Sequence, residues 1–143
     1  MSDEDFQNLI TGISAGALNP QSREALEHAV RYYGLVRSMK TDCKRIALNT
    51  GFREKDIQRV KNHVFYEEHE LEDGFRKFDP DYEMAQSWQR LIDGREIKTR
   101  DIILLQHEFI ESIFMAEGLG YDDAHEKAQD IYNYANALKE VGR

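Results

Sequence analysis

His107 and Glu111 stand four residues apart in a mostly apolar run, Ile102 to Met115, and so share one face of the helix this run predicts. Two such side chains can reach one common atom or each other. Imidazoles and carboxylates are the usual ligands of zinc and similar divalent ions, and an ion with an open coordination position activates water. His63, His69 and His125 are further candidates, each at the edge of a predicted helix or beside an acidic segment, and Asp79 flanks them. One expectation is therefore a divalent metal such as zinc, held by a selection of His63, His69, His107, Glu111 and His125. The same groups can work without metal, with His107 or His63 as general base and a carboxylate to orient it. The plain structural alternative is a half-buried histidine hydrogen-bonded to its i+4 carboxylate, since buried polar groups need partners. The string His107-Glu108-Phe109-Ile110-Glu111 departs from the zinc-peptidase pattern His-Glu-x-x-His at its last position. On a helical wheel Ile102, Ile103, Leu105, Phe109, Ile110, Ile113 and Phe114 form the wide apolar face, the pair lies just beside Phe114 with Leu104 and Met115 on the other side of Glu111 and is expected to be at least partly buried, and Glu108 points well away.

The elements that must hold these residues are helices, because the apolar period is helical almost throughout and no alternating strand or internal repeat stands out. The expected fold is all-α: one compact bundle of about six helices over residues 1–143, with residues 1–18 a loosely attached N-terminal helix. Asn19-Pro20 reads as a helix start, followed by a long, interrupted helix ending at Gly51 and another from Arg53 to Phe65. The segment near residues 67–79, crowded with Glu67, Glu68, Glu70, Glu72, Asp73 and Asp79, reads as an acidic loop. Asp79-Pro80 restarts a helix around the core anchor Trp88 that Gly94 ends; Thr99 caps the helix of His107, and the last helix spans about Asp122 to Lys139.

A net charge of -8 argues against general affinity for nucleic acid or anionic membranes, so any nucleic-acid contact must be local. One local basic stretch exists. Ala47, Gly51, Ile57 and Val60 have helix-turn-helix spacing, and Arg45, Arg53, Lys55, Arg59 and Lys61 could dock on phosphates, which makes a noncatalytic DNA- or protein-binding module the alternative reading. Two helices joined by a glycine turn with a solvated basic face explain the same residues. The single Cys43 excludes an internal disulfide and fits a reducing compartment, and neighbouring Lys40, Lys44 and Arg45 could lower its pKa. The acidic start, Met1 to Phe6, carries no apolar run; a cytoplasmic protein with no membrane span is expected.

Ile46-Ala47-x-Asn49-Thr50-Gly51, Lys61-Asn62-His63-Val64-Phe65, Phe78-Asp79-Pro80-Asp81, Ala85-Gln86-Ser87-Trp88-Gln89-Arg90-Leu91, His107-Glu108-x-x-Glu111 and Ala124-His125 follow one another within residues 33–138. Their order resembles a little-characterised toxin-like domain found at the C-termini of phage head-morphogenesis (minor capsid) proteins and of bacterial polymorphic toxins. The resemblance implies a site drawn from His63, His69, Asp79, Trp88, His107, Glu111 and His125. With the residue chemistry it gives the preferred expectation: a toxin-like hydrolase, nuclease-like in kind, that is metal-dependent or works by general acid and base.

Overall fold

The computed structural model describes Asn19 and residues 21–133, so the helix expected over residues 3–14 lies outside the described residues. Six α-helices follow one another: α1 (Arg23–Ser38), α2 (Asp42–Thr50), α3 (Glu54–Lys61), α4 (Tyr82–Asp93), α5 (Thr99–Ala116) and α6 (Tyr121–Ile131). The mostly helical bundle expected from the sequence is the fold that forms. Among the described residues no helix is long and apolar enough to cross a membrane.

α1, α4 and α5 begin where a carboxylate or hydroxyl can reach an amide that has no partner within the helix. The Ser22 hydroxyl accepts from the Ala25 amide at 3.2 Å, so α1 starts after Ser22 rather than at Asn19-Pro20. Asp81, not Asp79, caps α4 by accepting from the Met84 amide at 3.0 Å. Thr99 is the first residue of α5 instead of its cap, and Asp101 accepts from the Lys98 amide at 2.9 Å. The long early helix breaks between Ser38 and Asp42 into α1 and α2. The acidic segment is not a loop throughout: β1 (His69–Leu71) and β2 (Gly74–Arg76) pair antiparallel, with Leu71 opposite Gly74 across a two-residue turn. Asp73-Gly74, flanked by Leu71 and Phe75, is a hairpin signal that the density of carboxylates obscured.

Between the helices lies a core built on Trp88, with Tyr32 and Val36 from α1, Ile46 from α2, Ile57 and Val60 from α3, and Leu91 from α4. Phe65 stands edge-on to Tyr33 at 4.6 Å and to Trp88 at 5.2 Å between ring centroids. One charged network is buried inside this core. Asp42 accepts from the Lys61 ammonium at 2.9 Å, the Trp88 indole at 3.2 Å and the Cys43 amide at 2.9 Å, while Lys61 also donates to the Met39 carbonyl at 3.0 Å. The network ties α2, the end of α3, and α4 to one point. A second, at the α4–α5 corner, sets the Arg90 guanidinium on both oxygens of buried Asp101 at 2.8 Å each. Gly51 and Gly94 end α2 and α4 with φ of 83° and 70°, the left-handed region that favours glycine. At Gly94 space matters as well: the Asn49 amide, donating to the Leu91 and Ile92 carbonyls at 2.9 Å, would lie 2.8 Å from any Cβ.

Cys43 does not meet the expectation of a lowered pKa. Burial and the Asp42 carboxylate push its thiol up to about 12, outweighing the pull of Lys61, and it is inert packing in α2. Native protein at pH 8 is expected to leave Cys43 unmodified by an aromatic disulfide reagent until denaturant is added; rapid labelling of the folded chain would contradict its burial. Breaking the buried pair with Lys61→Ala should lower unfolding free energy by about 3–5 kcal/mol, because Asp42 then loses its charge partner. Urea unfolding at fixed pH measures this, and an unchanged midpoint would contradict the assignment.

Candidate metal centre

Glu111 is the hub of the site. It projects from the middle of α5 and is 1 % exposed, yet its two oxygens meet three imidazoles. Oε1 lies 2.8 Å from His63 Nε2, while Oε2 lies 3.3 Å from His107 Nε2 and 2.9 Å from His125 Nδ1. The two remaining nitrogens, His107 Nε2 and His125 Nδ1, are 3.3 Å apart. Each histidine comes from a different turn of chain: His107 from α5 itself, His125 from the second turn of α6, and His63 from the π-helical turn Asn62–Tyr66 that continues α3.

The local structure explains why these side chains converge. Along α5 the buried residues are Asp101, Leu104, Leu105, His107, Glu111, Ser112 and Phe114, whereas Ile102, Ile103, Phe109, Ile110 and Ile113 are only half-buried. The apolar face expected from the wheel is thus rotated, while the polar pair, expected to be at least partly buried between Phe114, Leu104 and Met115, is buried inside the contact. α5 is held on one side by α3 and the π turn and on another by α6, so no single face accounts for its burial. Small Ala124 and Ala128, fully buried, let α6 lie close to α5 and bring His125 over Glu111. On the other side the π turn closes with the Glu67 amide donating to the Asn62 carbonyl at 2.8 Å, five residues back. This wider turn turns His63 toward α5 while Val60, Val64 and Phe65 stay in the core.

Hydrogen bonds around the histidines fix which nitrogen is available. A carbonyl only accepts, so His107 donates from Nδ1 to the Tyr132 carbonyl at 3.1 Å and turns Nε2 toward Glu111 and His125. His69 donates from Nε2 to the His63 carbonyl at 2.8 Å, which spends that nitrogen on holding the π turn. Burial alone would raise the Glu111 pKa, but hydrogen bonds from His107, His125 and His63 hold it below the usual carboxylate range. His107 is lowered by burial and raised more strongly by Glu111 and Glu108, for a net rise; the Glu111 contact raises His125. Burial lowers His69.

Glu108 belongs to the site, contrary to the wheel. Its carboxylate lies 3.6 Å from His63 Nε2, and burial, then the charge of Glu111, pushes it up to about 8. Glu108 and Glu111 are three residues apart and therefore neighbours on one side of α5, and the π turn and α3 cover that side too. Tyr121, the first residue of α6, was also not singled out: it stacks on His125 at 5.5 Å and meets Phe78 at a tilt at 5.1 Å between centroids, and burial with the nearby carboxylates keeps its hydroxyl protonated. A cavity of about 600 Å³ opens onto Glu108, Glu111 and Tyr121, walled by Phe78, Asp79 and Asp81. Asp79 is exposed and paired with Arg76 at 2.9 Å, so it shapes the mouth without joining the cluster. Trp88 lies in the core on Asp42, away from this wall.

Among the described residues three combinations bring ligand atoms within 4.8 Å of one another: His107, Glu111 and His125; His63, Glu108 and Glu111; and His63, Glu67 and His69. In the first the three separations are 3.3, 3.3 and 2.9 Å. A tetrahedral ion with bonds of about 2.0–2.1 Å holds its ligand atoms about 3.3 Å apart, so these donors have the spacing of three corners, with the fourth left open.

The basic helix-turn-helix-like unit is differently disposed. α2 and α3 do meet at Gly51, and Arg45, Arg53 and Lys55 are exposed. Lys61, however, is buried on Asp42, Arg59 donates to the Ser112 hydroxyl at 2.8 Å, and Arg53 pairs with Asp56 at 2.9 Å. Two of the expected phosphate-binding side chains therefore serve the protein interior. No protein-family model, no curated protein and no solved structure matches the chain.

The charges predict a pH response of protein freed of metal by a chelator. His107 and His125, raised in the fold, stabilise it fully below about pH 6.5, and this is lost as pH rises through their folded values; Glu108, raised to about 8, adds a loss between about pH 4.5 and 8. Glu111, lowered in the fold, stabilises above about pH 4.5 and fails only as strong acid protonates it. Metal-free protein should accordingly melt at higher temperature near pH 5–6 than at pH 8 by a margin of several degrees. A flat profile over that range in differential scanning calorimetry would contradict the assignment.

Proposed function

We propose that this chain is a toxin-like, metal-dependent hydrolase whose ion is held by His107 Nε2, His125 Nδ1 and one oxygen of Glu111. The observation that supports it most is the spacing of those three donors, which suits a tetrahedral ion with one open position. Two imidazoles and a carboxylate with an open corner are a donor set used by catalytic zinc. The ion, when bound, supplies a Lewis acid and lowers the pKa of a coordinated water.

The other residues have roles that follow from position. Glu108, next in sequence to His107 and lining the same cavity as Glu111, is placed to take a proton from water there and pass it to a leaving group. Tyr121 keeps its proton and can donate a hydrogen bond to a charged oxygen developing in the cavity. His63 holds the far oxygen of Glu111 and His69 holds the backbone of His63, so the carboxylate is oriented before any ligand arrives. This reading retains nuclease-like action on a phosphodiester in a reducing, cytoplasmic setting, in keeping with the order of motifs shared with the toxin-like domain. The metal-free alternative, with histidine as base, leaves unexplained why one carboxylate meets three imidazoles when orienting one base needs a single contact.

Calorimetric titration of chelator-treated protein with Zn²⁺ is expected to show binding that Glu111→Gln, His107→Ala and His125→Ala each weaken at least about 100-fold. Hydrolysis of a fluorogenic oligonucleotide should require added ion and fall about 10²–10⁴-fold in Glu108→Gln. Absence of Zn²⁺ binding by the wild-type chain would overturn the metal reading, and ion-independent cleavage would favour histidine acid–base chemistry instead.

A further inference from the structure

Glu111 presents its oxygens to two separate groups. Oε2 faces His107 and His125, whereas Oε1 faces His63, with Glu108 beside it. Glu111 is the one residue these two sets of ligand atoms share. His63 is therefore not a fourth ligand of the ion proposed above, and the pairing of a buried imidazole with two carboxylates asks for another account.

We infer that the site holds a second divalent cation, coordinated by His63 Nε2, Glu108 and Oε1 of Glu111, so that Glu111 bridges a two-ion centre in which Glu108 and His63 serve as ligands instead of the base and the orienting partner they would be beside a single ion. This rests on the reading of the first ion. The geometry fits: His63 Nε2 is 2.8 Å from Glu111 Oε1 and 3.6 Å from Glu108 Oε2, which brackets the roughly 3 Å separation of neighbouring ligands around an octahedral ion with bonds near 2.1 Å. Two carboxylate oxygens and one imidazole form a harder donor set than the first position, and suit Mn²⁺ or Mg²⁺ better than Zn²⁺. Glu108 and Glu111 also line the cavity of about 600 Å³, which gives water and substrate oxygens room beside their carboxylates, while His63 lines a separate cavity on its other side. Ions joined by one carboxylate lie about 3.5–4 Å apart, the spacing at which a metal pair clamps the attacking and leaving oxygens of an in-line displacement.

Charge around the cavity points the same way. Glu72, Asp73, Asp79, Asp81 and Asp122 line the walls, and Arg76, the basic residue among the lining side chains, already pairs with Asp73 and Asp79. A phosphodiester would be repelled by such a wall unless cations neutralised it, and two dications on Glu111 put positive charge where the phosphate must sit. The second cation thus explains how an acidic cavity takes an anionic substrate.

Chelator-treated full-length chain, loaded with Zn²⁺ and then titrated with Mn²⁺ under native mass spectrometry, separates the two positions. Wild type is expected to bind two ions; Glu108→Gln, which is nearly isosteric, and His63→Ala should lower Mn²⁺ affinity at least about tenfold while Zn²⁺ affinity in Glu108→Gln stays within about threefold of wild type. Protein loaded with Mn²⁺ alone should give the electron paramagnetic resonance signal of a coupled pair, which reverts to isolated Mn²⁺ in Glu108→Gln. One tight Zn²⁺ with no second ion, or a second ion whose affinity neither variant changes, overturns the second position and leaves the first standing. Failure of wild type to bind any ion removes both.

Discussion

A carboxylate buried in the middle of a helix bundle can remain charged only if the surrounding chain supplies donors, and the rest of this structure is arranged to do so for Glu111. Three chain segments converge on it: the π turn after α3 with His63, α5 with His107, and the start of α6 with His125. The buried alanines of α6, the unusual turn after α3 and the polar stripe of α5 are separate local features with one common result. Each brings an imidazole nitrogen within reach of one side chain. Glu111 is consequently both the most costly residue of the core and the one around which its geometry closes.

Scaffold and site are kept apart. The Asp42–Lys61–Trp88 network joins α2, α3 and α4, and the Arg90–Asp101 pair fixes the corner from α4 into α5, both away from the cavity. Lys61 is the last residue of α3 and immediately precedes the π turn. Its ammonium therefore anchors the segment from which His63 departs, and the rigidity of the core is passed to the site through two residues of backbone. Such support from packed elements is what keeps a ligand set in place before anything binds.

Helical periodicity made the bundle legible in the sequence, since Ile46, Ile57, Val60, Trp88 and Leu91 recur at the right spacing and Gly51 and Gly94 mark real stops. His107 and Glu111 were legible as a pair for the same reason, and His63 and His125 as further members by residue type. Three things were not. A wheel assumes one buried face, but α5 is covered from several directions, and Glu108, three residues from Glu111 and so on its side of the helix, lies where the π turn covers α5 and beside His63. A wheel also assumes a constant turn, and the π turn breaks it at the residue that matters. Lys61 and Arg59 looked like surface cations because basic residues are rarely buried; only the coordinates reveal Asp42 and Ser112 as their partners.

The π turn has a consequence for how such a site arises and is lost. A π-helical turn accommodates one more residue than the α-helical turn it replaces, so removing a residue between Asn62 and Tyr66 would let α3 continue regularly and rotate the imidazole by about a quarter turn. Val60, ahead of the turn, would keep its place in the bundle, whereas Val64 and Phe65, buried within the turn, would change register. A single-codon deletion or insertion there would therefore remove or add the His63 arm together with a rearrangement of the core around Phe65. Among related chains, the length of this turn would distinguish those equipped for chemistry from those that keep the bundle alone.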